Sequence, residues 1–288
     1  VTHPSAEVIV DLDLVRQLLQ SQCPALADKP LRYHDEGWDN FTYRLGEQYS
    51  VRLPRRQMAV PLVEHEQRWL PEIAARLPIA IPVPVFAGRP TDEYPWPWSV
   101  VRWVPGETPK APLNRANALR LAEVLALLHQ PAPQDAPQNP YRGVPLETRN
   151  EFFVERMQSV EAEQAFDTER MSSVWKEALI ESPPRDRRWL HGDLHSQNVV
   201  LADGHLAGLI DWGDLAAGDV ATDLAAAWML IDAEEIRREF FDRYGADAST
   251  QTRARGWALH LGLAFFVIGE GRDREDGREI VRRVLNSR

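Results

Sequence analysis

A stretch of thirteen residues, Trp189-Leu-His-Gly-Asp-Leu-His-Ser-Gln-Asn-Val-Val-Leu201, constrains this chain more than any other. It places Asp193 and Asn198 on a short polar segment with β-prone residues on both sides. Val199 to Leu201 and Leu206 to Ile210 then flank Asp203-Gly204, a pair that favours a hairpin turn. Such a hairpin returns Asp211, thirteen residues after Asn198, to the side of Asn198. Asp193, Asn198 and Asp211 therefore form a set of three polar residues at fixed spacing that must be explained together. A loop residue and a helix cap would explain Asp193 and Asp211 singly but not the set. His191 and His195 stand four apart, but the segment lacks the H-E-x-x-H pattern and reads as a loop, so zinc is not expected. His191 is read as a prop for the backbone.

The rest of the chain divides in character. In residues 1–104, Asp11 to Gln20 has the spacing of a short amphipathic helix. Phe41 to Leu45 and Tyr49 to Leu53 flank Gly46-Glu47-Gln48 as a hairpin. Pro61 opens a helix over Leu62 to Arg76, Ile81 to Val85 is extended, and Trp98 to Val104 is strongly β-prone. Pro105-Gly106 marks the boundary. Residues 105–288 are mainly helical: Ala116 to His129, one or two polar helices over Glu147 to Ile180, then Asp219 to Ile231, Ala233 to Tyr244 and Thr252 to Gly269. The expected class is α+β, a small sheet-bearing lobe followed by a larger helical one.

Composition removes several classes of function. The longest apolar run, Leu261 to Ile268, is far short of the ~20 residues a membrane span needs. Val1 to Val10 shows no export signal, and a single cysteine, Cys23, permits no internal disulfide, so a reducing cytoplasm is expected. No Gly-Lys pair exists, which excludes a Walker A loop. The net charge of −10 sits mostly in residues 105–288, with 30 acids against 22 bases. That disfavours nucleic acid and is compatible with a cationic small molecule.

The spacing His191-x-Asp193-Leu194-x-x-x-Asn198 is that of the kinase catalytic loop, and Asp211-Trp212-Gly213 resembles D-F-G. Together with Ile210 to Asp214 and Gly218-Asp219-Val-Ala-Thr-Asp223-Leu224-Ala225, it resembles the aminoglycoside phosphotransferase and choline kinase-like family, small-molecule relatives of protein kinases. The resemblance implies a two-lobed protein-kinase-like fold. Residues 1–104 would form the nucleotide-binding lobe and 105–288 the catalytic and acceptor-binding lobe. Asp193 would orient the acceptor hydroxyl, and Asn198 and Asp211 would hold Mg²⁺. No lysine lies on a suitable strand, so Arg52 would take the phosphates, paired with Glu66 or the nearby Glu64. Gly37 to Thr42, with Asp39 and Asn40, would form the nucleotide lid. Arg102-Trp103-Val104 would be the hinge at the adenine edge, with Trp96, Trp98 and Trp103 lining the pocket or packing in the core.

No A-P-E activation segment follows Asp211, which separates the chain from protein kinases. Instead, residues 145–182 occupy the place where such enzymes build an acceptor site. Glu147, Glu151, Glu155, Glu161, Glu163, Glu270 and Asp273 are candidates to receive ammonium groups. The resemblance thus implies γ-phosphoryl transfer from ATP, or GTP, to a hydroxyl of a small cationic acceptor, aminoglycoside-like by preference. Choline, homoserine, a methylthio-sugar and a macrolide are the alternative acceptors. A nucleotide-binding regulator without catalysis is the contrasting class.

Overall fold

The Gly46-Glu47-Gln48 turn sets the register of the first sheet. Gly46 takes φ +57°, a left-handed conformation that glycine adopts without strain, and its N–H donates to Pro30 O. In the computed structural model, which describes residues 4–287, this turn joins β2 (Asn40–Leu45) to β3 (Tyr49–Pro54). With β1 (Leu31–Glu36), β4 (Pro84–Gly88) and β5 (Trp98–Arg102), they form an antiparallel sheet in the order β1-β2-β3-β5-β4. Helix α1 (Leu12–Gln22) is capped by Asp11, whose carboxylate accepts from Leu14 N–H at 2.8 Å. Its Val15, Leu18 and Leu19 join Phe41, Tyr43, Val51 and Trp98 in one apolar core. A short turn of helix, α2 (Pro24–Ala27), precedes β1, and α3 (Val60–Ala74) follows β3.

The chain divides into two compact units. The first holds the described residues up to Gly106, as the Pro105-Gly106 signal suggests, but it also takes in Ala207–Gly213. The reason is a close backbone contact. Ala80 N–H donates to Ala207 O and accepts, through its own carbonyl, Leu209 N–H. Gly208 fits there because it has no side chain: a Cβ would lie 2.4 Å from Val104 and 2.6 Å from the Ala80 carbonyl. The segment bearing Asp211 is thereby tied to the sheet unit.

The second unit, Glu107–Leu206 with Asp214 onward, is mainly helical. It contains α4 (Arg115–Leu128), α5 (Asn150–Glu163), α6 (Thr168–Ile180), α7 (Ala221–Leu224), α8 (Ala226–Leu230), α9 (Glu234–Tyr244), α10 (Ala248–Ile268) and α11 (Arg272–Asn286). The short strand β6 (Arg188–Leu190) leads into the catalytic-loop segment and pairs with β9 (Ala216–Gly218). β7 (Val199–Ala202) and β8 (His205–Leu209) make the expected hairpin. Helix α10 is apolar around most of its circumference because α5, α6, α7 and α11 surround it. Helix α11 goes beyond the elements read from periodicity. Its charged residues dominate the sequence, yet Ile280, Val281, Val284 and Leu285 form one buried stripe. Among the described residues no helix is long and apolar enough to cross a membrane.

The α10–α11 contact depends on glycine. A Cβ on Gly277 would lie 2.3 Å from Phe266 N and 2.8 Å from Gly262 O. Alanine would gain about 1 kcal/mol of helix propensity, but over-packing against backbone costs about 1–3 kcal/mol. We expect Gly277→Ala to lower the urea midpoint with an unchanged m-value; a raised midpoint would show that the helices part freely.

Candidate active site

The sheet unit assembles four of the residues singled out above. Arg52 on β3 donates through Nη1 to both carboxylate oxygens of Glu66 on α3, at 2.9 and 3.0 Å. Glu66 is buried, whereas Glu64 is exposed. Arg52 Nη2 lies 3.7 Å from Asp211 Oδ1. Burial works against both charges of the Arg52–Glu66 pair and pushes the Glu66 carboxyl up. The two-oxygen contact and Asp211 beyond it hold the guanidinium above its ordinary value, and we read the pair as ionised. Asp211 has φ +60°, a left-handed conformation that aspartate tolerates better than most residues. Its side chain is 61% exposed, so the strained backbone presents the carboxylate outward. Asp39, in the Gly37–Thr42 turn, pairs with Arg56 at 3.0 Å; burial first, and then Asp211 against the pull of Arg56, raises its carboxyl.

The hinge residues are placed differently. Arg102 N–H donates to Val83 O and Trp103 N–H to Gln48 O, so these two amides are committed within the sheet unit. Val104 is buried beneath Gly208. Asn40 is buried, and its Oδ1 lacks a hydrogen bond among the described residues. The tryptophans serve packing: Trp98 lies in the core against Phe86, Trp96 donates to Gln57, and Trp103 lies under the Arg44 guanidinium at 3.8 Å.

In the helical unit the catalytic-loop segment closes on itself. Asn198 Nδ2 donates to Asp193 O at 2.8 Å and to Asp193 Oδ2 at 3.2 Å, while Asn198 Oδ1 takes no hydrogen bond among the described residues. His195 Nε2 is 3.2 Å from Asp193 Oδ2. Arg142 Nη2 is 3.3 Å from Asp193 Oδ1, and Arg142 Nε is 3.4 Å from Asp214 Oδ2. Burial pushes the Asp193 carboxyl up, but His195, Arg142 and His191 outweigh it and hold it well below the usual carboxylate range. The carboxylate keeps 28% of its surface exposed, room for a hydroxyl to approach.

Residues without an assigned role in the sequence hold this loop. Fully buried Asp223 accepts His191 N–H at 2.7 Å and Gly192 N–H at 2.8 Å, and lies 3.1 Å from His129 Nε2. Gly192 has φ +90°, and a Cβ there would meet Asp214 O at 2.4 Å. Asp219 pairs with buried Arg253 at 2.7 Å. Both acids stand in Gly218-Asp219 to Ala225, the run noted above, so a signal existed. Arg142 and Asn139, which donates to Asp214 at 2.7 Å, lie in a proline-rich loop with no such signal.

Residues 30–259 match the model of the phosphotransferase enzyme family, and the chain belongs to that family. Thiamine kinase of Salmonella heidelberg (strain SL476) is 36% identical over an alignment covering 39% of this chain and 44% of that protein, so the chain spans less than half of that relative's length. The GDP complex of aminoglycoside 2'-phosphotransferase-IIIa superposes with a TM-score of 0.63 at 18% identity, over 94% of this chain and 97% of that one. Macrolide 2'-phosphotransferase MphH from Brachybacterium faecium gives 0.63 at 19% identity, over 94% and 98%. The fold is therefore α+β and protein-kinase-like.

Removing one partner of a buried ion pair leaves the other uncompensated, at a cost of about 3–5 kcal/mol. Glu66→Ala should lose stability on that scale in urea unfolding. Arg52→Met combined with Glu66→Leu should lose much less, and equal losses would show that packing rather than charge holds this site.

Proposed function

We propose that the protein transfers the γ-phosphoryl group of ATP or GTP to a hydroxyl of a small molecule. The observation that carries this reading is the Asp193–Asn198 arrangement, a partly exposed carboxylate held by the Asn198 amide through its Nδ2, with no hydrogen bond to Asn198 Oδ1 among the described residues. Asp193 is a weak base in this setting. It accepts a hydrogen bond from the acceptor hydroxyl, aims its oxygen, and takes the proton late, as a loose phosphoryl-transfer transition state requires. Arg52, oriented by Glu66, holds phosphate oxygens; a guanidinium does this with two parallel donors where the more usual lysine offers a point charge. The Gly37–Thr42 turn, with Asp39 and Asn40, covers the phosphates, and the hinge contact with the base falls to Val104 and the carbonyls beside it.

Asn198 and Asp211 fit Mg²⁺: they offer hard oxygen donors, and one or two carboxylates completed by phosphates and water are its usual ligands. When bound, Mg²⁺ supplies neutralisation of charge on the phosphate oxygens. No group of three or more His, Cys, Asp or Glu side chains forms a protein-only metal cage among the described residues.

The names of similar proteins span thiamine, aminoglycosides and macrolides. Choline, homoserine and methylthio-sugars remain alternatives on family grounds. A regulator without catalysis is the contrasting reading, and acceptor-dependent ADP release separates the two.

The test is ADP release with Mg·ATP across hydroxyl-bearing acceptors. Losing a group that handles the proton costs on the order of 10²–10⁴ in rate. Asp193→Asn should therefore bind Mg·ATP with unchanged affinity and turn over by that factor more slowly. Equal turnover in the variant would remove Asp193 from its role.

A further inference from the structure

Of the acids expected to receive a cationic acceptor, Glu147, Glu151, Glu155, Glu161, Glu163 and Glu270 face solvent, while Asp273 is half-buried and accepts from Gln197 Nε2. Glu163 is further committed to Arg274. The groups that turn inward from the same segment are arginines. Arg149, just before α5, is 9% exposed; its Nε donates to Thr148 Oγ1, and its guanidinium lies over the Tyr141 and Phe152 rings at 5.5 and 5.2 Å. Arg156, two turns along α5, reaches the ring nitrogens and carbonyl oxygen of buried His260 at 3.3–3.4 Å. Among the described residues neither Arg149 nor Arg156 has a carboxylate within ion-pair distance.

Arg142 completes the group and links it to the reacting centre. It touches Asp193, and Asn139 fixes its loop by accepting the N–H groups of Tyr141 and Arg142 while donating to Asp214. Asp193 and Asp214 balance the Arg142 charge, whereas among the described residues Arg149 and Arg156 make no direct ion pair, the exposed Glu155 acting on Arg156 only from a distance. Burial lowers both guanidiniums, with Arg142 adding to it against a smaller upward pull from Tyr141 on Arg149 and from Glu155 on Arg156, and Arg156, Arg142 and Arg149 all act to keep His260 neutral after burial has done so first. Two buried or half-buried cations without an acid are costly unless a ligand supplies the counter-charge. Arginine is also the side chain that matches carboxylate and phosphate with paired donors.

We propose that Arg149 and Arg156 bind an anionic group, a carboxylate or a phosphate, carried by the acceptor. Identifying the ligand as the acceptor rests on the phosphotransferase reading; anion binding itself does not. Tyr141 and Phe152, 57% and 40% exposed, give the same ligand an aromatic face. A polycationic acceptor is then disfavoured.

Calorimetric titration of the full chain with sodium phosphate and with sodium gluconate, at constant ionic strength against sodium chloride, tests this. We expect saturable binding of at least one probe, weakened about 10- to 100-fold in Arg156→Gln and in Arg149→Gln, the scale of a charge-assisted hydrogen bond. Stronger binding of phosphate assigns a phosphorylated acceptor, and stronger binding of gluconate a carboxylate. Half-exposed Arg156 provides the variant that folds should Arg149→Gln not. Binding of neither probe, or equal binding in wild type and variants, overturns the proposal. In turnover, anionic acceptors should show KM raised by the same factor in the arginine variants with kcat changed less. Turnover of neutral or cationic acceptors that ignores both arginines but vanishes in Asp193→Asn would overturn the anionic acceptor and leave phosphoryl transfer standing. Turnover that ignores Asp193→Asn would do the reverse to the phosphotransfer reading, with anion binding still decided by calorimetry.

Discussion

The carboxylate of Asp223 is sealed from water, and the turn that carries Asp193 hangs from it. Its two oxygens accept the N–H groups of His191 and Gly192, and His129 lies against one of them. Each backbone donor to a charged acceptor contributes about 1.5–3 kcal/mol, more than a neutral pair. This is enough to hold Gly192 at φ +90°, where its missing side chain lets Asp214 approach. With that turn fixed, His191 offers its ring to the Asp193 N–H, and Asn198 closes on the Asp193 carbonyl. The position of the Asp193 carboxylate therefore depends on a buried acid thirty residues downstream as well as on the loop's own sequence.

In the sheet unit the corresponding anchor is Arg52. A lysine in its place would present three donors on one nitrogen. The guanidinium instead spends Nη1 on both oxygens of Glu66 and still directs Nη2 toward Asp211. Three acids, Glu66, Asp211 and Asp39, act on this one cation. With Arg56 paired to Asp39, three acids face two cations here, which leaves one net negative charge at the exposed end of the cluster, where Asp211 lies. The chain's bias toward arginine, 30 against three lysines, is thus compatible with the chemistry at a position where the two are not interchangeable.

Much of this was legible before any coordinates. The hairpin around Gly46 and the hairpin around Asp203-Gly204 stand where turn chemistry puts them, because glycine and aspartate signals are local. Arg52 meeting Glu66 was legible from the family pattern, while the choice over Glu64 needed the helix phase, which buries one and exposes the other. Less legible was anything that depends on distant backbone. The attachment of Ala207–Gly213 to the sheet unit rests on Ala80 and Val104, a contact no local pattern announces. Arg142 sits in a loop whose prolines mark only irregularity, and its role follows from Asn139 reaching Asp214. The tryptophans near the hinge illustrate a different limit: composition permits either a pocket or a core, and packing puts Trp98 in the core against Phe86 while Trp103 stays half-buried under Arg44.

Net charge is silent about position in the same way. The helical part carries 30 acids against 22 bases, yet its acids lie mostly on exposed helix faces, where water and salt screen them within about 10 Å. Arg142, Arg149 and Arg156 are half-buried or buried, and less screened for that reason. A ligand arriving near Asp193 experiences the charges that solvent does not attenuate, so the field at the site can oppose the sign of the whole unit. The electrostatics of recognition are set by which charges are desolvated, and that depends on helix phase and tertiary contact, neither of which a residue count contains.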